Sequence, residues 1–445
     1  MKKIVAIALT LVMASMAFAD FSAGMKVRFR NEMGTVDTGF NSDKQVFNRS
    51  ADVRFRPNFQ YKANKMLSLN YVGEIGDIQY GVKDKGGAVD TDGINFETKN
   101  LFLDINPNKN FGFRLGLQPY ADPHSLVFDT DVAGAYFKYN RNAFRMGLGW
   151  FVPSDNKSET NYNDETWSFG ENMFVVDACY AFNKNVKAGL NTIISLSSSD
   201  QTEKIMDPNT GNYIIDPGTN YTTKAVRLWI SPFFDGTFGK FSAKAQFSIY
   251  SAAYENEKLG DNDAPEYGDD DTDTGMAFSL NTHYYANENL DLRFNFMFNS
   301  SDSERKEYFM DDNGKGFPAG IDLEILTPGG NGIYTVSPFT YDGNGLILPA
   351  FFLDYKFNKN VDLTLGAGIG MTVEDVDYYD TDGTTVKDNT TYLGTELDVK
   401  AKIRAYDKLT MVPYFAMLLP GEALTRYSDD KDMQMKFGVA LKMSL

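Results

Sequence analysis

The sequence predicts an all-β chain, a closed antiparallel transmembrane β-barrel of about 18 strands (range 16–20) with short turns at one rim and long loops at the other. Three observations carry this. Apolar and polar residues alternate with a period of two in many stretches, each near ten residues long. Short Asn/Asp connectors alternate with long acidic ones along the chain. Past the amino-terminal segment, no run of about 20 apolar residues occurs, so a membrane is crossed by strands rather than by a helix.

The clearest strand is the last. Met433, Met435, Phe437, Val439, Leu441, Met443 and Leu445 alternate with Gln434, Lys436, Gly438, Ala440, Lys442 and Ser444. A helix would bring Lys436 and Lys442 in among the apolar side chains, whereas a strand leaves one face for oil and one for water. At the other end, Lys2 and Lys3 precede an apolar run over 4–16 and then Ala17, Phe18 and Ala19. That is the pattern of a secretory signal peptide cleaved after Ala19. Residues 1–19 are therefore expected to be a leader and residues 20–445 a single barrel domain.

Between these ends the alternation recurs. Phe21, Ala23, Met25, Val27 and Phe29 face away from Ser22, Gly24, Lys26, Arg28 and Arg30; Ala51, Val53, Phe55, Pro57 and Phe59 face away from Asp52, Arg54, Arg56, Asn58 and Gln60. The same holds over 290–299, 361–374 and 395–404. Short connectors fall at 63–65, 106–110, 140–142, 183–185, 235–240, 286–289, 358–360 and 406–408. Their Asn and Asp residues tolerate the left-handed conformations of tight hairpins. Long connectors fall near 32–48, 81–93, 120–129, 153–169, 198–222, 254–273, 302–344, 376–390 and 421–431. Eight short turns and nine long loops join eighteen strands, with short periplasmic turns and long extracellular loops as the expected orientation. An extra hairpin over 321–326 and 333–336 would raise the count. Tyr61, Phe111, Tyr139, Phe144, Phe182, Phe241, Tyr285, Phe357 and Tyr406 flank the short turns, where rings form a girdle at a membrane interface.

Composition excludes several functions. Asp and Glu number 60 against 43 Lys and Arg, for a net charge of -17, which argues against nucleic acid as a partner. Cys179 is the only cysteine, so an intramolecular disulfide is impossible; it reads as a small wall residue. The two histidines, His124 on a loop and His283 on a strand, accompany no G-x-S-x-G elbow and no metal-ligand spacing. No enzyme, cofactor or metal is expected. Acidic clusters at Asp261, Asp263, Asp269–Asp271, Asp273, Asp311, Asp312, Asp375, Asp377, Asp380 and Asp382 read as solvated outer loops. Asp380 and Asp382 with Gly383 match only part of a calcium-loop pattern, which lacks its full spacing.

A barrel of this size is too wide to fill with wall side chains and encloses a water-filled lumen. The lumen-facing positions carry cations: Lys26, Arg28, Arg30, Arg54, Arg56, Arg114, Lys138, Arg145, Arg227, Lys244, Arg293, Lys400, Lys402 and Arg404. Because the first two strands are hairpin neighbours, Arg28, Arg30, Arg54 and Arg56 crowd one patch. Like charges so close require counter-charges. Asp52, Asp291, Asp354, Glu374, Glu396 and Asp398 are the candidate partners. Two outcomes follow: a ladder that orients or selects anionic solutes, or an internal salt-bridge network that solvates the wall. The loop at 302–344, the longest, is expected to fold inward and narrow the lumen.

Signal peptide, eighteen-strand alternation, Asn-rich short turns and an apolar closing strand together resemble the Gram-negative outer-membrane porin superfamily. Residues 113–120 followed by 129–134 are similar to a region of alginate-export-like substrate-specific porins, although Gly116, Leu117 and Gln118 lack that motif's arginine. The resemblance implies an outer-membrane channel for passive diffusion of ions and small hydrophilic solutes, anionic ones included. It implies outer-membrane lipid and lipopolysaccharide as surroundings and the barrel assembly machinery as the reader of the closing strand. Monomer and homotrimer both stay open. The competing expectation is a non-conducting surface barrel, structural or adhesive, that binds ligands through its acidic loops.

Overall fold

The computed structural model describes residues 20–35, 47–89, 96–154, 171–201, 204–206, 213–215, 221–258, 271–300, 321–327, 344–379, 386–425 and 432–445. The expected leader at 1–19, the hairpin arm at 333–336 and the calcium-like stretch at 380–383 lie outside these, as do Asp261, Asp263, Asp269, Asp270, Asp311 and Asp312.

Eighteen wall strands run in chain order: β1 (Asp20–Gly34), β2 (Asn48–Lys62), β3 (Leu67–Tyr80), β4 (Phe96–Ile105), β5 (Phe111–Ala121) and β6 (Asp129–Arg141); then β7 (Phe144–Ser154), β8 (Glu171–Ala181), β9 (Val186–Gln201), β10 (Tyr221–Phe238), β11 (Phe241–Lys258) and β12 (Asp271–Tyr285); then β13 (Leu290–Asn299), β14 (Leu346–Asn358), β15 (Val361–Tyr379), β16 (Val386–Tyr406), β17 (Leu409–Pro420) and β18 (Gln434–Ser444). Each pairs antiparallel with its neighbours in sequence. β1 also pairs with β18, from Lys26 opposite Ser444 to Gly34 opposite Lys436, so the sheet closes and leaves no wall edge. Closure is what lets strands cross hydrocarbon, because every backbone polar group then has a partner.

The alternation sets the two faces. On β18, Gln434, Lys436 and Ala440 are buried inside while Phe437 stands outside, 43% exposed. Phe113, Leu148, Trp150, Phe174, Ile249 and Phe351 continue the outer apolar belt. The short connectors form as expected, with one chemical difference. Only Asn142 takes a positive φ among their asparagines. In five others the side chain caps the turn: Asn64, Asn108, Asn183, Asn287 and Asn358 each accept a backbone N–H two residues on, at 2.8–2.9 Å. This is an Asx turn, which substitutes a side-chain oxygen for a backbone carbonyl.

Two local expectations are corrected. The turn expected at 235–240 is tighter: β10 continues to Phe238, so Asp235 belongs to the wall and pairs in register with Lys244. Tyr285 leaves the expected girdle, because it stacks on His283 at 5.7 Å and lines the same inner recess as Asp291.

Candidate functional site

The interior is organised by three features: an arginine patch, and two loop segments that turn into the lumen. The patch grows from the β1–β2 register, in which Arg28 lies opposite Arg54 and Lys26 opposite Arg56. The crowding inferred from the sequence is present, and β3 supplies most of the counter-charge. Arg28 donates to Asp77 at 2.7 Å, and Arg54 donates to Asp77 and lies within ion-pair distance of Glu74 at 3.0 Å. Arg56 pairs with Glu74 and Arg30 with Asp52. Glu74 and Asp77 share a face because a bulge places Gly76 and Asp77 opposite the single residue Arg54. Gly76 has φ +119°, and a Cβ there would meet the Val53 carbonyl at 2.6 Å, so the bulge needs glycine. Of the partners named from sequence, only Asp52 serves this patch. The interruption of strand β3 by Gly73 and Gly76 was the available signal of a bulge.

The remaining candidate residues are distributed around the wall. Arg114 donates to Asp104 at 2.8 Å and stacks over Phe102. Arg293 pairs with Asp354 at 2.5 Å, Arg404 with Asp362 at 2.5 Å, and Arg227 donates to Ser197 at 3.0 Å. Asp291 accepts from His283 Nδ1 at 2.8 Å rather than joining an arginine. Lys402 lines a recess with Asp354 and Asp362. Glu374 is exposed at the long-loop end of β15. Lys26, Arg28, Arg54, Arg56, Lys408 and Lys442 line a recess of about 410 Å³ near the short-turn rim.

Glu396 and Asp398 do not face open water. Residues 321–327, inside the longest connector, enter the barrel and cover them; Leu323, Glu324, Ile325, Leu326 and Thr327 are all 0% exposed. They form no strand, so the extra hairpin expected there does not include them. Glu396 accepts the backbone N–H groups of Ile325 (2.7 Å) and Leu326 (2.6 Å), and Asp398 accepts that of Glu324 at 3.1 Å. Lys400 donates to the Asp322 carbonyl at 2.5 Å and pairs with Glu324, and Lys436 donates to the Glu324 carbonyl. Wall carboxylates thus hold a segment that has no backbone ladder of its own.

A second segment, 122–128, also turns inward. The Asp122 carboxylate accepts N–H groups from Leu126, Val127 and Phe128 at 3.2, 3.0 and 2.7 Å, and Gln246 donates to it at 2.5 Å. Burial, the largest influence, raises the Asp122 carboxyl above its usual range against these hydrogen bonds. His124 donates its N–H to Gln246 and reaches Asp235 through Nε2 at 2.7 Å, while Lys187 pairs with the other Asp235 oxygen. Apolar side chains of both segments join lumen-facing Trp229, Tyr250, Met297, Leu348 and Leu418 in one buried cluster. The polar lumen expected from sequence therefore holds an apolar layer, because inward segments need apolar surface to pack on.

No protein-family model matches the chain, and no curated protein sequence matches it. Solved structures do. OccK8 (OprE) of Pseudomonas aeruginosa aligns with a TM-score of 0.53 at 11% identity, covering 96% of this chain and 98% of that one. OccAB1 of Acinetobacter baumannii aligns at 0.52 and 11%, covering 95% and 96%. OpdQ of Pseudomonas aeruginosa aligns at 0.52 and 8%, covering 96% and 98%. With its closed wall of eighteen antiparallel strands, the chain has the fold of the outer-membrane porins.

Proposed function

We propose that this chain is an outer-membrane channel for passive diffusion of small hydrophilic solutes, with a bias towards anions. The observation that carries the bias is the charge surplus of the β1–β3 patch. Five cations, Lys26, Arg28, Arg30, Arg54 and Arg56, face Asp52, Glu74 and Asp77, and the fourth carboxylate of the patch, Glu32, is shared between Arg30 and Lys436. The carboxylates hold the guanidiniums in place, and the excess positive charge lowers the barrier to an entering anion. Outer-membrane lipid and lipopolysaccharide are the surroundings this reading requires, and the assembly machinery would recognise the closing strand β18.

One observation favours the alternative, a non-conducting barrel: the two inward segments share an apolar cluster across part of the lumen. Single-channel recording of the refolded protein in a planar bilayer under a salt gradient separates the two. Stepwise conductance with a reversal potential of anionic sign is the expected result. A folded barrel that never conducts overturns the channel reading, and a cationic sign overturns the anion bias.

A further inference from the structure

We infer that the recess between β6, β7 and β8 is a second anion station, separate from the arginine patch and suited to a small oxyanion whose oxygens can bridge two cations. It rests on the channel reading only in requiring that small solutes reach the lumen from the short-turn rim. In the β6–β7 ladder, Lys138 lies opposite Gly147 and Asn140 opposite Arg145, so Lys138 and Arg145 are diagonal neighbours on the inner face. Such pairs stand roughly 7–8 Å apart at the backbone, a span that a single oxyanion between two flexible cationic side chains can bridge. The recess they share measures about 280 Å³ and is also lined by Asn140, Asp177, Cys179 and Phe233.

Its cations differ from the paired arginines of the rest of the lumen. Arg28, Arg30, Arg54, Arg56, Arg114, Arg293 and Arg404 each have a carboxylate within ion-pair distance. Among the described residues neither Arg145 nor Lys138 has a carboxylate within ion-pair distance, and the Lys138 ammonium lies 5.5 Å from the centroid of the Tyr136 ring. Asp177, the one carboxylate lining the recess, is already engaged at both oxygens, by Tyr136 Oη at 2.5 Å and Asn191 Nδ2 at 2.6 Å. The nearby Arg114–Asp104 pair is neutral as a unit and adds no counter-charge. Two cations side by side repel unless a counter-ion sits between them. Asp177 keeps its charge while it binds the two neutral donors, Tyr136 and Asn191, so the recess carries one net positive charge, and an oxyanion from solution whose oxygens reach both cations balances it.

The chain carries its own reporter, since Cys179 is its only cysteine and lies opposite Arg145 in the β7–β8 ladder. The full-length mature barrel is treated with an anionic methanethiosulfonate sulfonate and with its cationic trimethylammonium counterpart, in chloride or sulfate at equal ionic strength. The anionic reagent is expected to react faster by roughly tenfold, the low end of electrostatic focusing. Sulfate is expected to slow it several-fold more than chloride, and both effects are lost in Lys138→Gln with Arg145→Gln. Equal rates for the two reagents, sulfate acting no more strongly than chloride, or a thiol that reacts with neither overturns the station. The channel reading fails separately: a barrel with sulfate-protected Cys179 and no conductance keeps the station and loses the channel.

Discussion

At the scale of single residues, the lumen works by matching guanidiniums to carboxylates imperfectly. Asp77 touches Arg28 at 2.7 Å, lies 3.6 Å from Arg30 and also binds Arg54, so it compensates three cations at once. Asp77→Asn removes the carboxylate that serves three of these cations and leaves the cations unchanged. The anion-to-cation permeability ratio should rise by roughly two- to threefold, read from the reversal potential under a salt gradient. A ratio that stays put would show that the patch merely solvates the wall. Asp77 itself was not legible in the sequence, because a strict period of two sets it on the opposite face from Glu74. One extra residue at Gly76 reverses that parity, and only the β2–β3 register shows where the extra residue sits.

At the scale of elements, the inward segments are held by side chains rather than by ladders. Residues 321–327 depend on Glu396, which binds two of their N–H groups and is itself 0% exposed. Glu396→Ala leaves those donors unpaired in a buried place, a cost of about 2–4 kcal/mol to the seated segment. Conductance should become larger and noisier, and deletion of 321–327 should enlarge it further. Identical conductance and solute cut-off in the deletion would mean that the segment does not narrow the path. Leu323 packs where Gly368 has no side chain, and a Cβ at Gly368 would overlap it. Gly368→Val should therefore expel the segment and mimic the deletion, whereas a wall position with free space would tolerate the change. The inward turn of this connector was expected from its length, but its anchors were not, since Glu396 and Asp398 look in sequence like any polar positions of an alternating strand.

At the scale of the whole molecule, closure rests on the pairing of β1 with β18. Met25 and Leu445 exchange backbone hydrogen bonds at 3.1 and 2.9 Å, and the ladder continues to Gly34 opposite Lys436. Removal of 434–445 exposes the free edges of β1 and β17 together, a state that hydrocarbon does not tolerate. The truncated chain should lose the heat-modifiable band of a folded barrel on electrophoresis, and a chain that keeps it would show closure through another pair. The strand number, the eight short turns and the two-faced wall could be stated from the sequence alone, because a period of two and turn-forming residues are local properties that survive any arrangement of the strands. Which carboxylate meets which arginine, which segments enter the lumen, and that Lys138 and Arg145 share a recess with no carboxylate at ion-pair distance were decided only by tertiary structure. Those depend on register, bulges and distances between residues far apart in the chain, and a side chain's partner across a lumen leaves no periodic trace in its own strand.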